Sequence, residues 1–183
     1  MEVVTTHINA DFDAMASMIA AKKLYPEAVL VFPGSQERTL REFFINSTMY
    51  IYDFKRLRDV DLTRIHRLIL VDTRQISRIG RFEEIIHRPD VEIHIYDHHP
   101  DTSEDVKGQV SVVKPVGATV MILTQLLQER GIALNAEEAT ILSLGIYEDT
   151  GSFTFNSTTP EDFEAAAYLR RFGADLNVIS DLV

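Results

Sequence analysis

Two hydrophobic periods take turns along this chain, a strand-like run followed by a helix-like one. Val3-Val4-Thr5-Thr6 is β-branched and leads through His7-Ile8-Asn9-Ala10-Asp11-Phe12-Asp13 into Ala14 to Leu24, which has helix-forming residues throughout and a buried stripe of Met15, Met18, Ile19 and Leu24. Pro26 ends that helix, Ala28 to Phe32 is a short apolar strand, and Pro33-Gly34-Ser35 is a turn. Glu37 to Ile45 reads as helix, whereas Tyr50 to Leu57 fits either a short strand or a loop. Arg67 to Thr73 is a near-continuous apolar run that reaches Asp72, as expected of a strand covered on both faces, and Arg78 to His87 reads as the following helix. Val91 to Tyr96 and Gln109 to Val113 are further strands. Gly117-Ala118-Thr119 opens an apolar helix to about Arg130 that Gly131 closes, and Asn135, with Glu138 three residues on, caps another through Tyr147. Thr159-Pro160-Glu161 starts a helix to Phe172 with Gly173 as its stop, and Asp175 to Val183 is the start of one more.

Strands alternating with helices of this length call for an α/β fold with a mostly parallel, doubly wound sheet and helices on both faces. Five strands, near residues 3–6, 28–32, 67–72, 91–96 and 110–113, are expected in the order 2-1-3-4-5. The switch point then lies between the first and third strands, where the His7 to Asp13 loop meets Asp72, and ligands of such sheets bind beyond the carboxyl ends of the strands. The helices after Gly117 should cover the sheet and deliver Asp149 to the same edge.

Composition narrows the reading. With 183 residues and 45% hydrophobic content, residues 1–183 make one domain. The chain stops on Leu-Val without a polar tail, which reads as a piece of something longer. There is no cysteine, so any metal must be held by carboxylates and imidazoles, and a cytoplasmic protein is expected. No stretch approaches a membrane span and no leader is evident. The net charge of −10 is uneven, with 13 basic and 15 acidic residues up to position 100 and 5 against 13 after it, so extended duplex binding is not expected. Arg74, Arg78 and Arg81 follow Asp72 at near-helical spacing, which suits a phosphate or, more commonly, a solvated helix face.

Four segments bring candidate ligands to the sheet edge: His7, Asp11 and Asp13; Asp72; Asp97, His98 and His99; and Asp149. Alone, each has a plain reading, since an Asp after a strand is commonly a helix cap. Together they form a group of acids and imidazoles with no basic residue among them, and clustered carboxylates repel unless protonated or bridged by cations. Asp11, Asp13, Asp72 and Asp149 match the charge of two divalent ions, and two imidazoles in the set favour manganese, with magnesium or cobalt as the other candidates. Two metals roughly 3.5–4 Å apart would activate a bridging hydroxide toward a phosphoryl group. Thr119 caps its helix or leaves that helix N-terminus to a phosphate oxygen. Phe153 and Phe155 are expected to pack under the site, and His66, His87 and His94 to be surface or structural residues.

His7-x-Asn9-x-Asp11-x-Asp13, Val71-Asp72-Thr73, Asp97-His98-His99, Gly117-Ala118-Thr119 and Asp149-Thr150-Gly151, in this order, resemble the DHH family of phosphoesterases, which includes family II pyrophosphatases, exopolyphosphatases, single-strand exonucleases, nanoRNases and cyclic-dinucleotide phosphodiesterases. The resemblance implies His7, Asp11 and Asp72 on one metal, and Asp13, Asp72, His98 and Asp149 on the other, with Asp72 bridging. It implies that His99 faces the substrate phosphate and that Asp97 orients the site from behind; Asn9, Arg74 and Thr119 are the further candidate substrate contacts. Asp72, Asp97, His98 and His99 are then the catalytic set. Nothing matches the second domain, DHHA1, that closes over the site in most catalytic members. His-x-Asn-Ala-Asp-Phe-Asp with Pro33-Gly-Ser-Gln looks most like DHH domains at the start of multidomain proteins with CBS domains and a poly(A)-polymerase-type tRNA nucleotidyltransferase. A metal-dependent phosphohydrolase, exopolyphosphatase-like or acting on phosphorylated small molecules or short single-stranded nucleic acid, is the expectation. The rival is a non-catalytic module that binds a nucleotide or RNA end for neighbouring domains. Substrate choice is expected to come from domains beyond Val183 or from a second copy of the chain in a homodimer.

Overall fold

The computed structural model describes residues 1–46 and 52–183. Six strands form one parallel sheet: β1 (Glu2–Thr5), β2 (Val29–Phe32), β3 (Phe54–Arg56), β4 (Arg67–Val71), β5 (Glu92–Asp97) and β6 (Val110–Val113), in the order β3-β2-β1-β4-β5-β6. The expected order of five strands is therefore present, and the difference is one added edge strand, β3, in the stretch that fitted strand or loop. Its three residues pair in register with β2, Leu30 opposite Phe54 and Phe32 opposite Arg56. Too short to show a period, such a strand is set by its neighbour and not by its own sequence. Tyr50 and Ile51, part of the same stretch, lie outside the described residues.

Among the described residues six α-helices accompany the sheet: α1 (Phe12–Leu24), α2 (Arg38–Asn46), α3 (Thr119–Glu129), α4 (Ala136–Asp149), α5 (Pro160–Arg171) and α6 (Leu176–Leu182). Side chains of a strand alternate between faces, and here the alternation divides the core in two. Val4, Ile69 and Val71 face a cluster to which every α-helix contributes, while Val3, Leu68 and Leu70 face a second cluster with Leu62, Ile65, Ile79 and Phe82. The second face is covered by 3-10 turns, Leu57–Asp59, Leu62–Arg64, Ile76–Arg78 and Gly80–Glu84, in place of the α-helix expected over Arg78 to His87. Gly80 sits at φ 57°, and that left-handed residue interrupts the run.

Met15, Met18, Ile19 and Leu24 are buried as expected, but so is most of the rest of α1, because it lies under the sheet with α3 and α4 against its other sides. Asn135 and Glu138 form a reciprocal capping box at the start of α4. His66 and His87 are exposed, and His94 is buried between Tyr25 Oη (2.7 Å) and Glu92 Oε1 (2.8 Å). Among the described residues no helix is long and apolar enough to cross a membrane.

Helix α4 packs tightly against α1 and α3 at Gly145. A Cβ there would lie 3.0 Å from Ala16 Cβ, from Asp13 Cα and from Val120 Cγ1. Gly145→Val should therefore lower the unfolding free energy by about 1–3 kcal/mol through overpacking. Denaturant titration with an unchanged m-value checks it.

Candidate metal centre

Parallel strands place their carboxyl ends on one side, and the loops that follow β1, β4 and β5 meet there with the end of α4. Just past β4, Asp72 N–H donates to Tyr96 O (2.9 Å) and Asp72 adopts φ 59°, which turns its carboxylate out of the sheet edge. Asn9 takes φ 62° in the loop after β1. Asp and Asn are the side-chain-bearing residues that most readily enter this region. Asp11 is the N-cap of α1, with Oδ1 accepting from Ala14 N–H (2.9 Å) and Oδ2 left toward His7 Nε2 (3.8 Å). Asp13, fully buried in the first turn of α1, rests on the N-terminus of α3, where Thr119 N–H donates to Oδ2 (2.7 Å) and Val120 N–H to Oδ1 (2.8 Å).

Four groups of donor atoms form among the described residues; two are Asp72 with His98 and His99, and Asp11 with Glu148 and Asp149, and the other two are joined through Asp72. His7, Asp11 and Asp72 bring donor atoms within 4.8 Å of one another, and so do Asp13, Asp72, His98 and Asp149. Asp72 serves both because its oxygens point apart: Oδ2 lies 3.2 Å from His7 Nε2, and Oδ1 lies 3.6 Å from His98 Nε2 while accepting from the Thr119 hydroxyl (2.8 Å). Each imidazole is anchored from behind, His7 Nδ1 donating to Ile8 O (3.0 Å) and His98 Nδ1 to Val116 O (2.9 Å). A carbonyl can only accept, so Nδ1 carries the proton and Nε2 is aimed at the carboxylates.

The electrostatics describe a cluster whose crowded negative charge must be offset by protons or cations. Burial, with the charges of Asp72 and Asp149, pushes Asp13 well above the carboxylate range, and burial, with Asp11 and Asp149, does the same to Asp72. Burial alone would lower His98, but the neighbouring Asp149 and the charges of Asp13 and Asp72 reverse this and push it up to about 10. His98 Nε2 is buried without a hydrogen-bond partner, 3.2 Å from Asp149 Oδ2 and 4.0 Å from Asp13 Oδ2. Anchored imidazole nitrogens facing several carboxylate oxygens fit two divalent ions of the oxygen- and nitrogen-preferring kind.

Residues 2–146 match the family described as "DHH family, N-terminal domain". The chain belongs to the DHH family. It is 54% identical over 183 residues to an A-adding tRNA nucleotidyltransferase of Geobacter sulfurreducens, covering 100% of this chain and 21% of that protein. It is also 31% identical over 196 residues to a cyclic-di-AMP phosphodiesterase, GdpP, of Geobacillus thermodenitrificans, covering 99% of this chain and 29% of that one. The crystal structure of an exopolyphosphatase-related protein from Bacteroides fragilis superposes with a TM-score of 0.78 at 19% identity, over 97% of this chain and 54% of that chain, which is a likeness of fold. The DHH chain thus spans a fifth to a third of the length of these two relatives.

Around the cage of this DHH chain, the other predicted site residues fall in varied places. Asp97 is buried behind His99, accepting from His99 Nδ1 (2.7 Å) and His98 N–H (3.0 Å) through Oδ1. Its Oδ2 accepts from Arg74 (2.7 Å). Arg74, expected to face a phosphate, is instead 4% exposed and closed in by Asp97, Asp105 (2.8 Å), Asp101 (2.7 Å) and the carbonyl of His99 (2.9 Å). The row Arg74, Arg78, Arg81 does not form a helix face, because the segment is two 3-10 turns, and Arg81 pairs with Glu84 (2.7 Å). Thr119 follows the N-cap, Ala118, and its helix N-terminus is filled by Asp13, which leaves no room there for a phosphate oxygen. Asn9 reaches Glu37 Oε1 (3.4 Å) at the surface. Phe155, expected under the site, is 56% exposed with its ring against Gly151, while Phe153 stacks on Phe163 (4.5 Å).

Sequence reasoning did not single out Glu148. Its Oε2 accepts from Phe12 N–H (2.7 Å), its carboxyl groups with Asp11 and Asp149, and burial together with Asp11 pushes it up to about 7. Its position beside Asp149 was the only hint, since adjacent helix residues point about 100° apart and rarely serve one site.

Two outcomes are expected. Asp72→Ala should empty both ion positions while His99→Ala keeps both, as read by metal content per chain after dialysis; two ions retained by Asp72→Ala would rule out a shared carboxylate. Arg74→Leu should leave Asp97 buried without its partner and cost about 3–5 kcal/mol of stability, measured by chemical denaturation.

Proposed function

We propose that this chain is the ion-binding domain of a phosphoesterase that hydrolyses phosphoester or phosphoanhydride bonds with two divalent ions, manganese foremost. The observation that carries the reading is the pair of ligand groups joined through the two oxygens of Asp72. The DHH family match and the phosphodiesterase among the relatives point the same way. When bound, the ions would acidify a water as nucleophile and offset charge on the phosphoryl oxygens.

The chain's own groups have separate tasks on this reading. His7, Asp11 and Asp72 hold one ion, and Asp13, Asp72, His98 and Asp149 hold the other. The Thr119 hydroxyl and the α3 N-terminus fix the orientation of Asp72 and Asp13. His99, with Nδ1 held by Asp97 and its side chain part-exposed at the cage mouth, presents Nε2 to the phosphate. Glu148 fastens the first turn of α1, and with it Asp11.

The position of the chain within the tRNA nucleotidyltransferase relative supports a module of a longer protein, with substrate grip supplied by other domains or a second copy. The test is release of product from pyrophosphate, polyphosphate, short oligonucleotides and 3′,5′-bisphosphorylated nucleosides. Turnover of at least one with Mn²⁺ and none after chelation is expected, with His99→Ala slower by roughly 10²–10³-fold. Bound metal with no turnover of any of the four would identify a binding module.

A further inference from the structure

Outside the cage, the carboxyl edge of the sheet carries a cationic cavity that the phosphoesterase reading leaves unused. At the outer end of the edge, Pro33, Gly34 and Gln36 after β2 face Lys55, Arg56 and Arg58 of β3 and the turn beyond it, around a cavity of about 360 Å³. That volume falls within the roughly 300–1,000 Å³ of small-ligand sites. Three cations within four residues stand out on a chain of net charge −10. Lys55 is paired with Asp53 (2.5 Å), Arg58 approaches Asp59 only to 3.9 Å, and Arg56 has no ion pair among the described residues. All three side chains are exposed, whereas the arginine expected to meet phosphate, Arg74, is sealed in by carboxylates.

The register places this cavity relative to the cage. Val4 lies opposite Leu30, and Phe32 opposite Arg56, so Arg56 is level with Thr6, the residue before His7. Two strand spacings separate them, roughly 10 Å. The wall between is fixed: a Cβ on Gly34 would touch Ile8 Cγ1 at 3.2 Å, Ala10 N–H donates to Ser35 O (3.1 Å), and Glu37 N–H donates to Ala10 O (2.8 Å). A single phosphate cannot span cage and cavity, but a chain of linked phosphates can. The cavity is not purely cationic, for Phe32 and Phe54, stacked at 4.9 Å, and Leu57 also line it. Apolar wall beside guanidinium groups suits sugar–phosphate units better than bare polyphosphate.

We infer that the Lys55, Arg56 and Arg58 cavity is a subsite for the backbone of a short single-stranded nucleic acid whose terminal phosphate lies in the carboxylate–imidazole cage. The cage half of this statement rests on the phosphoesterase reading, and the cavity half does not. The test is therefore run first in EDTA, where no hydrolysis occurs. A fluorescent tetraribonucleotide is titrated into the wild-type chain and into Arg56→Gln/Arg58→Gln at several salt concentrations, with folding and Mn²⁺ content of both proteins checked beside it. The double variant should bind at least fivefold more weakly, and the slope of log affinity against log salt should fall by about 1.4, at about 0.7 per lost contact on a single strand. Equal affinities and slopes would overturn the inference, as would displacement of the oligonucleotide by tripolyphosphate at equal phosphate concentration. With Mn²⁺ present, KM for the tetranucleotide should rise about fivefold in the variant while kcat holds. Weaker binding by the variant in EDTA, with no hydrolysis by either protein in Mn²⁺, would support the cavity and sink the phosphoesterase reading instead.

Discussion

Repulsion among buried carboxylates is the constraint around which the rest of this structure is arranged. Asp11, Asp13, Asp72 and Asp149 converge at one sheet edge, and Arg74, at the same edge, is engaged by other acids. Three of the four are held by groups that stiffen them without adding a full positive charge, helix N–H groups on Asp13 and Asp11 and a threonine hydroxyl on Asp72, while Asp149 lies beside His98 (3.2 Å). Such neutral donors orient the carboxylates but leave their mutual repulsion in place, to be relieved by protons or by cations.

The fold supplies what this arrangement needs in distance along the chain. Residues 7, 72, 98 and 149 are remote in sequence, and a parallel sheet is the device that brings successive strand ends to one side. Asp149 arrives differently, at the end of a helix, and its placement depends on the close seat of α4 on α1 and α3 at Gly145. One face of the sheet is thickly covered by α-helix and the other thinly by 3-10 turns, so the deep wall of the cage is the helical side, where Asp13 and Thr119 sit.

The strands, and the acid- and imidazole-bearing segments that converge at their ends, were legible in the sequence because both depend on local pattern. Runs such as Arg67 to Val71 are apolar on both faces, and each ends at a residue with chemistry. The capping box at Asn135 was equally plain. Edge strand β3 was not legible, since its three residues carry no period, nor was the 3-10 conformation of residues 76–84, which turns on Gly80. The fate of Arg74 is a tertiary matter: Asp97, Asp101 and Asp105 lie 23 to 31 residues away and only the fold gathers them. Thr119 misled for a related reason, because the acid at its helix N-terminus comes from Asp13, 106 residues earlier. Phe155 was misplaced because an aromatic beside a motif reads as core, whereas the turn at Gly151 swings it to the surface.

The backbone at Asp72 has a consequence for how such a site can drift. At φ 59° this position selects for conformation as well as for charge, and most L-residues are disfavoured there by roughly 1–2 kcal/mol. Glutamate keeps the charge but lengthens the arm, glycine suits the turn but brings no oxygen, and asparagine suits the turn but leaves one oxygen where two are needed. Aspartate alone answers both demands. The neighbours of Asp72 are under no such double requirement, so accumulated substitution should wear away the surroundings of this residue long before it reaches the residue itself.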